Sequence, residues 1–185
     1  MTEISPLTTT SAPAASRPIL ETAQRSLGFV PNLYATLAHS PLALISYTEL
    51  AQTIAERSTL TATEQQVVFL AASLENGCDY CVAAHSTLAL AQKVDAAVLD
   101  AVRAKEPISD GRLEALRQTT IALVKERGWL SETQTWAFVD AGFERAQLLD
   151  VVTLLALKTI SNYTNHLADT PIDAAFQAQR LAGAA

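Results

Sequence analysis

The sequence predicts a single all-α domain. Signals that start and stop helices recur along the chain, among them two capping boxes, Thr61-Ala62-Thr63-Glu64 and Ser131-Glu132-Thr133-Gln134. Alternating apolar and polar runs with paired turn signals, which mark β-strands, are absent. A chain of 185 residues is long enough for one core and too short to favour a second.

Glycine and proline define the helices of the first third. We expect a helix over about residues 18–27, ended by Gly28, and a short one over residues 33–38 with Asn32 as its N-cap. Pro41 suits the first position of the next helix, which extends to about residue 56.

The first capping box opens a helix whose apolar residues recur at helical spacing. Its expected buried stripe is Val67, Val68, Leu70, Ala71 and Leu74. Gly77 ends this helix, and residues 78–92 form the next one.

The second half of the chain continues in the same way. We expect helices over residues 95–105, over 111–127 with Gly128 as the stop, from the second capping box to residue 141, over 144–167, and from Pro171 onward. The side chains of the long helix expected to face the core are Leu148, Val151, Val152, Leu155 and Ile160.

The N-terminal stretch differs in composition from the rest. Residues 8–16 contain only Thr, Ser, Ala and Pro and show no apolar periodicity. We therefore expect residues 1–16 to form a mobile arm, or one that lies on a neighbouring subunit, and residues 17–185 to form the helical domain.

Composition limits the classes of partner. The net charge of -6, without a Lys/Arg cluster, argues against nucleic acids and anionic membranes. The most apolar segment, residues 148–160, contains Asp150, Thr153 and Lys158 and is too short to cross a bilayer, so it predicts a core helix.

Apolar residues make up 49% of the chain, which favours a homo-oligomer. No secretory signal is visible, and both cysteines lie in one short motif, so we expect a cytoplasmic protein.

That motif, Cys78-x-x-Cys81-x-x-x-His85, carries the chemistry. Its three side chains lie three and four residues apart at the start of a helix and so share one face. The helix N-terminus and a protonated His85 would both favour a thiolate. Cys81 is then best placed to attack a peroxide, and Cys78 to condense with the sulfenic acid and form a disulfide.

Two other interpretations of the motif remain open. A metal would need a fourth ligand from elsewhere, and the remaining imidazoles are His39 and His166. His39 lies at a helix junction, where a structural hydrogen bond is the simpler explanation. The other interpretation is a pair of inert, buried thiols, since the role of a CxxC motif depends on its context.

Polar residues near the end of the long helix form a second candidate group. Asn162, Asn165 and His166 share one face, which is either a solvated or subunit-contacting face or a polar wall near the thiols. On the second interpretation Asn162 and His166 bind substrate. Tyr80, inside the motif, has a hydroxyl that can donate a proton.

At these residues the sequence resembles the alkylhydroperoxidase D and carboxymuconolactone decarboxylase family, in its peroxidase-related branch. The segments that carry the resemblance are residues 28–32 (GFVPN), 39–41 (HSP), 77–81 (GCDYC) with His85, and 162–166 (NYTNH), so it spans about residues 18–173. It implies an alkylhydroperoxidase D-like helical bundle that assembles as a dimer, trimer or hexamer. It also implies peroxide reduction without a cofactor, using an unidentified thiol or dithiol protein as reductant.

The resemblance further implies a proton relay, from which this chain departs. Gln66 occupies the position of the family's glutamate, and Tyr80 the position of its second histidine. A glutamine cannot shuttle a proton as a carboxylate does. The expected catalytic set is therefore Cys81, Cys78, His85, Gln66 and Tyr80.

Three functions follow as alternatives. The first is a hydroperoxide reductase or disulfide oxidoreductase in which His85 accepts and donates protons. The second is a lyase like carboxymuconolactone decarboxylase, which would need no thiols. The third is a redox sensor whose disulfide changes assembly without turnover.

Overall fold

A computed structural model describes residues 4–181 of the chain and confirms the all-α single-domain prediction. No strand occurs among these residues. The helices are α1 (Arg17–Leu27), α2 (Asn32–Leu37), α3 (Pro41–Arg57), α4 (Ala62–Glu75), α5 (Asp79–Ala91), α6 (Ala96–Ala104), α7 (Gly111–Lys125), α8 (Glu132–Asp140) and α9 (Gln147–Ala168), followed by a 3-10 helix (Ala174–Gln179).

Both predicted capping boxes form. The Thr61 hydroxyl accepts a hydrogen bond from the Glu64 backbone N–H, and the Glu64 carboxylate accepts one from Thr61 N at 2.7 Å. Ser131 and Gln134 make the equivalent pair at the start of α8. These reciprocal bonds satisfy backbone donors that the first turn of a helix leaves free, and so they fix where α4 and α8 begin.

Two predicted helix ends differ from the observed ones. Asn32 is the first residue of α2, and Pro31 takes the capping position. The Asn32 side chain donates instead to Pro171 O at 2.9 Å, a contact between segments far apart in sequence. The chain after Pro171 forms a short 3-10 helix where an α-helix was expected.

Helix α4 lies at the centre of the molecule and packs against α5, α6, α7 and α9. Every residue from 66 to 74 is buried, so α4 is enclosed on all sides and not only along the predicted stripe. Its C-terminal end therefore places the start of α5 inside the core. Among residues 4–181, no helix is both long and apolar enough to cross a bilayer.

The predicted buried face of α9 is wrong in part. Val151 is buried, but Val152 is 46% exposed, and Leu148, Leu155 and Ile160 are only partly buried. The buried face consists of Val151, Leu154, Leu157, Lys158, Ser161, Asn162 and Asn165. The prediction is wrong in part because α9 also carries apolar residues on its outer face, so the apolar pattern does not identify the buried face.

That outer face bears the large exposed side chains Leu149, Val152, Tyr163 and Leu167. Their spacing places them on one side of α9, where an apolar stripe would suit a subunit contact. The homo-oligomer stays a prediction.

The described part of the N-terminal arm, residues 4–16, lies against its own chain. Leu7 N donates to Ala35 O at 3.1 Å, and the Ser16 hydroxyl donates to Ala38 O at 3.0 Å. Ala12 is buried in the main core. The small residues of this stretch therefore fit closely against α2. The division into an arm over residues 1–16, mobile or lying on a neighbouring subunit, and a domain over residues 17–185 stays a prediction. The other predicted arm residues, 1–3, and the last domain residues, 182–185, lie outside the described residues.

Candidate functional site

The junction of α4 and α5 positions the two cysteines. Gly77 has a φ of +67°, a left-handed conformation that favours glycine. The backbone N–H of Cys78 donates to Ser73 O at 2.9 Å, and that of Gly77 to Leu74 O at 3.3 Å, the two bonds of a Schellman motif. Cys78 is therefore the N-cap of α5, and Cys81 follows in its first turn. Both thiols are free and buried.

Helix α9 supplies amide groups to both sulfurs. The Asn165 Nδ2 atom donates to Cys81 Sγ at 3.3 Å and lies 3.7 Å from Cys78 Sγ. Asn162 Oδ1 accepts a hydrogen bond from Asn76 at 2.8 Å, while its buried Nδ2 has no partner. Of the two alternatives for this face, the structure therefore favours the polar wall near the thiols. Asn165 is its closest member and was missing from the expected site.

Lys158 is a buried cation that the sequence analysis did not place in the site. It is 1% exposed, and its Nζ lies 5.7 Å from the centroid of the Phe69 ring, which in turn stacks on His85. Among residues 4–181 no carboxylate forms an ion pair with it. The signal that could have found it is spacing, since Lys158 precedes Asn162 and Asn165 by one and two turns on the same face.

These surroundings shift the pKa values of the two thiols in opposite directions. Burial by itself raises the pKa of Cys81. The hydrogen bond from the Cys78 thiol and the positive charge of Lys158 outweigh burial, so the pKa of Cys81 lies well below its ordinary value. The other side chains that lower it include Ser161 and Asn162. The hydrogen bond to Cys81, together with burial, raises the pKa of Cys78. The reduced site therefore holds a thiolate on Cys81 and a thiol on Cys78.

His85 is neutral, which corrects the expectation that a protonated His85 favours the thiolate. Burial, and then the positive charge of Lys158, hold the pKa of His85 well below its ordinary value. Lys158 supplies the positive charge in its place. Among residues 4–181 no hydrogen bond joins His85 to either sulfur.

Gln66 holds the His85 ring. His85 Nδ1 lies 3.1 Å from Gln66 Oε1, and Gln66 Nε2 donates to Gln92 Oε1 at 3.1 Å. With a carbonyl oxygen facing it, Nδ1 carries the proton and Nε2 is the basic nitrogen. Glu64 cannot replace the missing carboxylate, because it is paired with Arg112 at 2.8 Å.

We expect Gln66→Glu to raise the pKa of His85, since a carboxylate beside the ring stabilises the imidazolium. An NMR titration of the ring measures this. Gln65→Glu is the matched control, because the Gln65 side chain donates to Leu60 O and not to the ring. Equal titration of His85 in both variants would contradict the contact between Gln66 and His85.

Tyr80 points away from the sulfurs toward the C-terminal segment. Its hydroxyl donates to Asp173 Oδ2 at 2.6 Å and accepts from Leu33 N at 3.2 Å. The Asp173 carboxylate also accepts from Asn32 N. Burial and the adjacent Asp173 raise the pKa of Tyr80. This geometry gives Tyr80 a positioning role, which differs from the proton donor expected from the motif.

Tyr80→Phe should lower the free energy of unfolding by roughly 1.5–3 kcal/mol, because it removes a hydrogen bond to a buried carboxylate. Denaturant unfolding measures this change. The rate of thiol loss with peroxide is followed in the same variant. A large loss of rate at unchanged stability would contradict the positioning role and restore the proton donor.

A cavity of about 360 Å³ reaches the dithiol from the surface. Its walls include Cys78, Tyr80, Asn165, His166, Ile172 and Arg180, but not Cys81. The predicted substrate residues are thus separated, because the exposed His166 lines the cavity whereas Asn162 is buried behind it. Of the two cysteines, which are equally buried, only Cys78 contributes to the cavity wall.

His39 and the metal-site interpretation of the motif can also be compared with the structure. His39 Nε2 lies 2.8 Å from Ser5 O, which confirms a structural hydrogen bond. Within residues 4–181, no group of three or more His, Cys, Asp or Glu side chains is arranged to hold a metal ion.

Comparison with known proteins supports the resemblance drawn from the sequence. The model of the carboxymuconolactone decarboxylase family matches residues 41–119, which include both cysteines, His85 and Gln66. No match was found among curated proteins.

Solved structures share the fold over nearly the whole chain. An uncharacterised peroxidase-related protein with an alkylhydroperoxidase AhpD core, from Ralstonia eutropha JMP134, is 24% identical with a TM-score of 0.81, covering 95% of this chain and 96% of that one. A peroxidase-related protein from Silicibacter sp. TM1040 is 18% identical with a TM-score of 0.78, covering 91% and 90%. A variant of the debrominase Bmp8 in complex with 2,3,4-tribromopyrrole is 20% identical with a TM-score of 0.77, covering 97% and 96%. The alkylhydroperoxidase D-like fold is therefore confirmed.

Proposed function

Starting from the carboxymuconolactone decarboxylase family match of residues 41–119, we propose that this protein reduces hydroperoxides with its Cys78–Cys81 dithiol. The observation that carries the proposal is the asymmetry of the buried pair. Cys81 is held as a thiolate beside the buried Lys158, and Cys78 is held as a thiol. A nucleophile and a resolving thiol in contact are what peroxide reduction requires.

In the first step the Cys81 thiolate attacks the terminal oxygen of the hydroperoxide. An S–O bond forms, the O–O bond breaks, and the alkoxide leaves as the alcohol after taking up a proton. The donor near Cys81 that is free to hydrogen-bond the reacting oxygen is the buried Nδ2 of Asn162, since the Nδ2 of Asn165 already donates to Cys81 Sγ.

In the second step Cys78 attacks the sulfur of the Cys81 sulfenic acid. The Cys78 thiol loses its proton to a base, and His85 Nε2 is the neutral basic nitrogen of the site. The S–O bond breaks, hydroxide leaves as water, and the disulfide forms. Overall, one hydroperoxide, the Cys81 thiolate, the Cys78 thiol and one proton give one alcohol, one water and one disulfide.

A thiol must then reduce the disulfide for turnover to continue. We propose a cytoplasmic homo-oligomer that takes its electrons from a thiol or dithiol reductant, with no cofactor.

The proposal is tested by steady-state turnover of hydrogen peroxide and cumene hydroperoxide, with dithiothreitol as the recycling reductant. We expect one alcohol for each dithiol oxidised, and saturation with peroxide. Consumption no faster than with dithiothreitol alone would overturn the proposal.

A second candidate uses the same dithiol on a halogenated ring. The structural similarity to a debrominase bound to tribromopyrrole favours it, because a thiolate that attacks peroxide oxygen can also attack bromine. Release of bromide from tribromopyrrole, without peroxide turnover, would favour this candidate.

The lyase alternative needs no thiols. Full turnover of a lactone substrate by Cys78→Ser/Cys81→Ser would support it. An oligomer size that changes on oxidation, without turnover, would support the redox sensor.

A further inference from the structure

We propose that the Cys78–Cys81 disulfide is strongly oxidising, and that thiols reduce it by attack at Cys78. The proposal rests on the dithiol–disulfide cycle proposed above. It adds the sulfur that the reductant attacks and the physical reason why reduction is favourable.

Lys158 places a positive charge in the core near the cysteines. This ammonium group is 1% exposed and forms no ion pair with a carboxylate among residues 4–181. A buried cation without a counter-ion is costly. In the reduced site the Cys81 thiolate provides the counter-ion, whereas in the disulfide neither sulfur is charged. Lys158 therefore stabilises the reduced state over the oxidised one.

Hydrogen bonding acts in the same direction. The Asn165 amide donates to Cys81 Sγ at 3.3 Å and lies 3.7 Å from Cys78 Sγ. Donors of this kind bind a charged acceptor much more strongly than a neutral sulfur. They lose most of that energy when the thiolate becomes a disulfide.

The other ionisable groups around Cys81 do not offset Lys158. The ionisable groups that act on Cys81 from the packed helices are Tyr47 of α3, Tyr80 of α5 and Lys158 of α9, and Lys158 also acts on His85. Asp79, His166, Asp169 and Arg180 line the cavity beside Cys78. Burial raises the pKa of both tyrosines and lowers that of His85, so all three are neutral near pH 7. Lys158 is then the charge that sets the balance between thiolate and disulfide. A disulfide whose reduced form is stabilised in this way is a strong oxidant.

The cavity determines which sulfur is attacked. Cys78 forms part of the wall of the 360 Å³ cavity, and Cys81 does not. Attack at Cys78 also expels Cys81, whose low thiol pKa makes it the better leaving group. The position of Cys78 at the cavity wall and the leaving-group chemistry of Cys81 therefore both favour attack at Cys78.

The reduction balances as follows. A monothiolate attacks Cys78 Sγ, the Cys78–Cys81 bond breaks, and its electron pair leaves on Cys81 as the thiolate. A second monothiol attacks the sulfur of the first and releases Cys78, which takes up a proton. One disulfide and two monothiols give one Cys78 thiol, one Cys81 thiolate, one monothiol disulfide and one free proton.

That free proton gives a test on the unmodified protein. We would equilibrate it with mixtures of reduced and oxidised glutathione between about pH 6 and about pH 8, and quantify its dithiol by alkylation and mass spectrometry. The equilibrium constant for reduction should rise about tenfold per pH unit, because one proton is released. An equilibrium constant independent of pH would overturn the proposal.

Variants of Lys158 and Asn165 test whether these residues stabilise the reduced state. Lys158→Met should lower the equilibrium constant with glutathione at neutral pH by about tenfold or more, and Lys158→Arg should restore most of it. If Lys158→Met fails to fold, Asn165→Leu should lower the constant in the same direction. Wild-type values in both Lys158→Met and Asn165→Leu would refute the stabilisation of the reduced state.

The site of attack is tested by quenching the disulfide protein with acid shortly after glutathione is added. Peptide fragmentation should find glutathione on Cys78 and a free thiol on Cys81, and the reverse would contradict the assignment. None of these measurements uses peroxide. Normal peroxide turnover together with an equilibrium constant that does not change with pH would refute this inference alone. An equilibrium constant that rises with pH, without peroxide turnover, would refute the proposed function alone.

Discussion

Cys81→Ser should abolish peroxide reduction, whereas Cys78→Ser should retain the first chemical step. Cys81 is the sulfur held as a thiolate, and the thiolate is the nucleophile. A hydroxyl cannot replace it, so the rate in Cys81→Ser should fall about a thousandfold or more, to that of an ordinary thiol. Cys78→Ser keeps the nucleophile and lacks only the resolving thiol. It should therefore react once and stop at the sulfenic acid.

The two variants serve as matched controls for each other, since each removes one sulfur from the same turn. Mass spectrometry with a sulfenic acid reagent distinguishes the products. We expect a trapped adduct on Cys81 in Cys78→Ser and none in Cys81→Ser. An adduct on Cys78 in Cys81→Ser, formed at the wild-type rate, would reverse the assigned roles.

Lys158→Met should raise the pKa of Cys81 and lower the fraction of thiolate at neutral pH. Without the buried positive charge, only hydrogen bonds from Cys78 and the neighbouring polar side chains oppose burial, so the pKa of Cys81 rises. The rate with peroxide at neutral pH should fall about tenfold for each unit by which the pKa passes the assay pH. Ultraviolet absorbance of the thiolate, followed against pH, measures the change directly.

Two control variants separate charge from packing in this experiment. Lys158→Arg keeps a positive charge and should keep the thiolate. Lys125→Met removes an exposed lysine that pairs with Glu75 on another surface, and should leave the thiolate unchanged. A wild-type thiolate titration in Lys158→Met would show that the charge of Lys158 is unimportant.

The sequence was sufficient to predict the fold and the position of the dithiol. Capping boxes, glycine stops and proline starts are local signals, so α4 and α5 could be placed from residues close in the chain. The row formed by Cys78, Cys81 and His85 is also local, since it depends only on helical spacing.

The charge states of the site were not predictable in this way. Spacing places His85 near Cys81, but it does not show that burial keeps the imidazole neutral. Lys158 lies far along the chain from both cysteines, and its role depends on how α9 packs against α4 and α5. The apolar residues on both faces of α9 hid which side of that helix is buried.

The bond between Tyr80 and Asp173 was beyond prediction for a similar reason. It joins residues 93 positions apart, and it depends on the C-terminal segment folding back over the start of α5. The motif places a hydroxyl close to the cysteines in sequence, and only the fold shows that this hydroxyl donates a hydrogen bond to Asp173.

The most direct test of the central claim is the rate of thiol loss in wild-type protein after rapid mixing with hydrogen peroxide or cumene hydroperoxide, measured against pH. Because the pKa of Cys81 is lowered, the thiolate should persist from alkaline pH down through neutrality, and the rate should fall only when the pH drops through that lowered pKa. We predict fast formation of the disulfide at neutral pH with a flat profile above it. Thiols that react no faster than free cysteine, with a rate that declines below about pH 8.5, would contradict the claim.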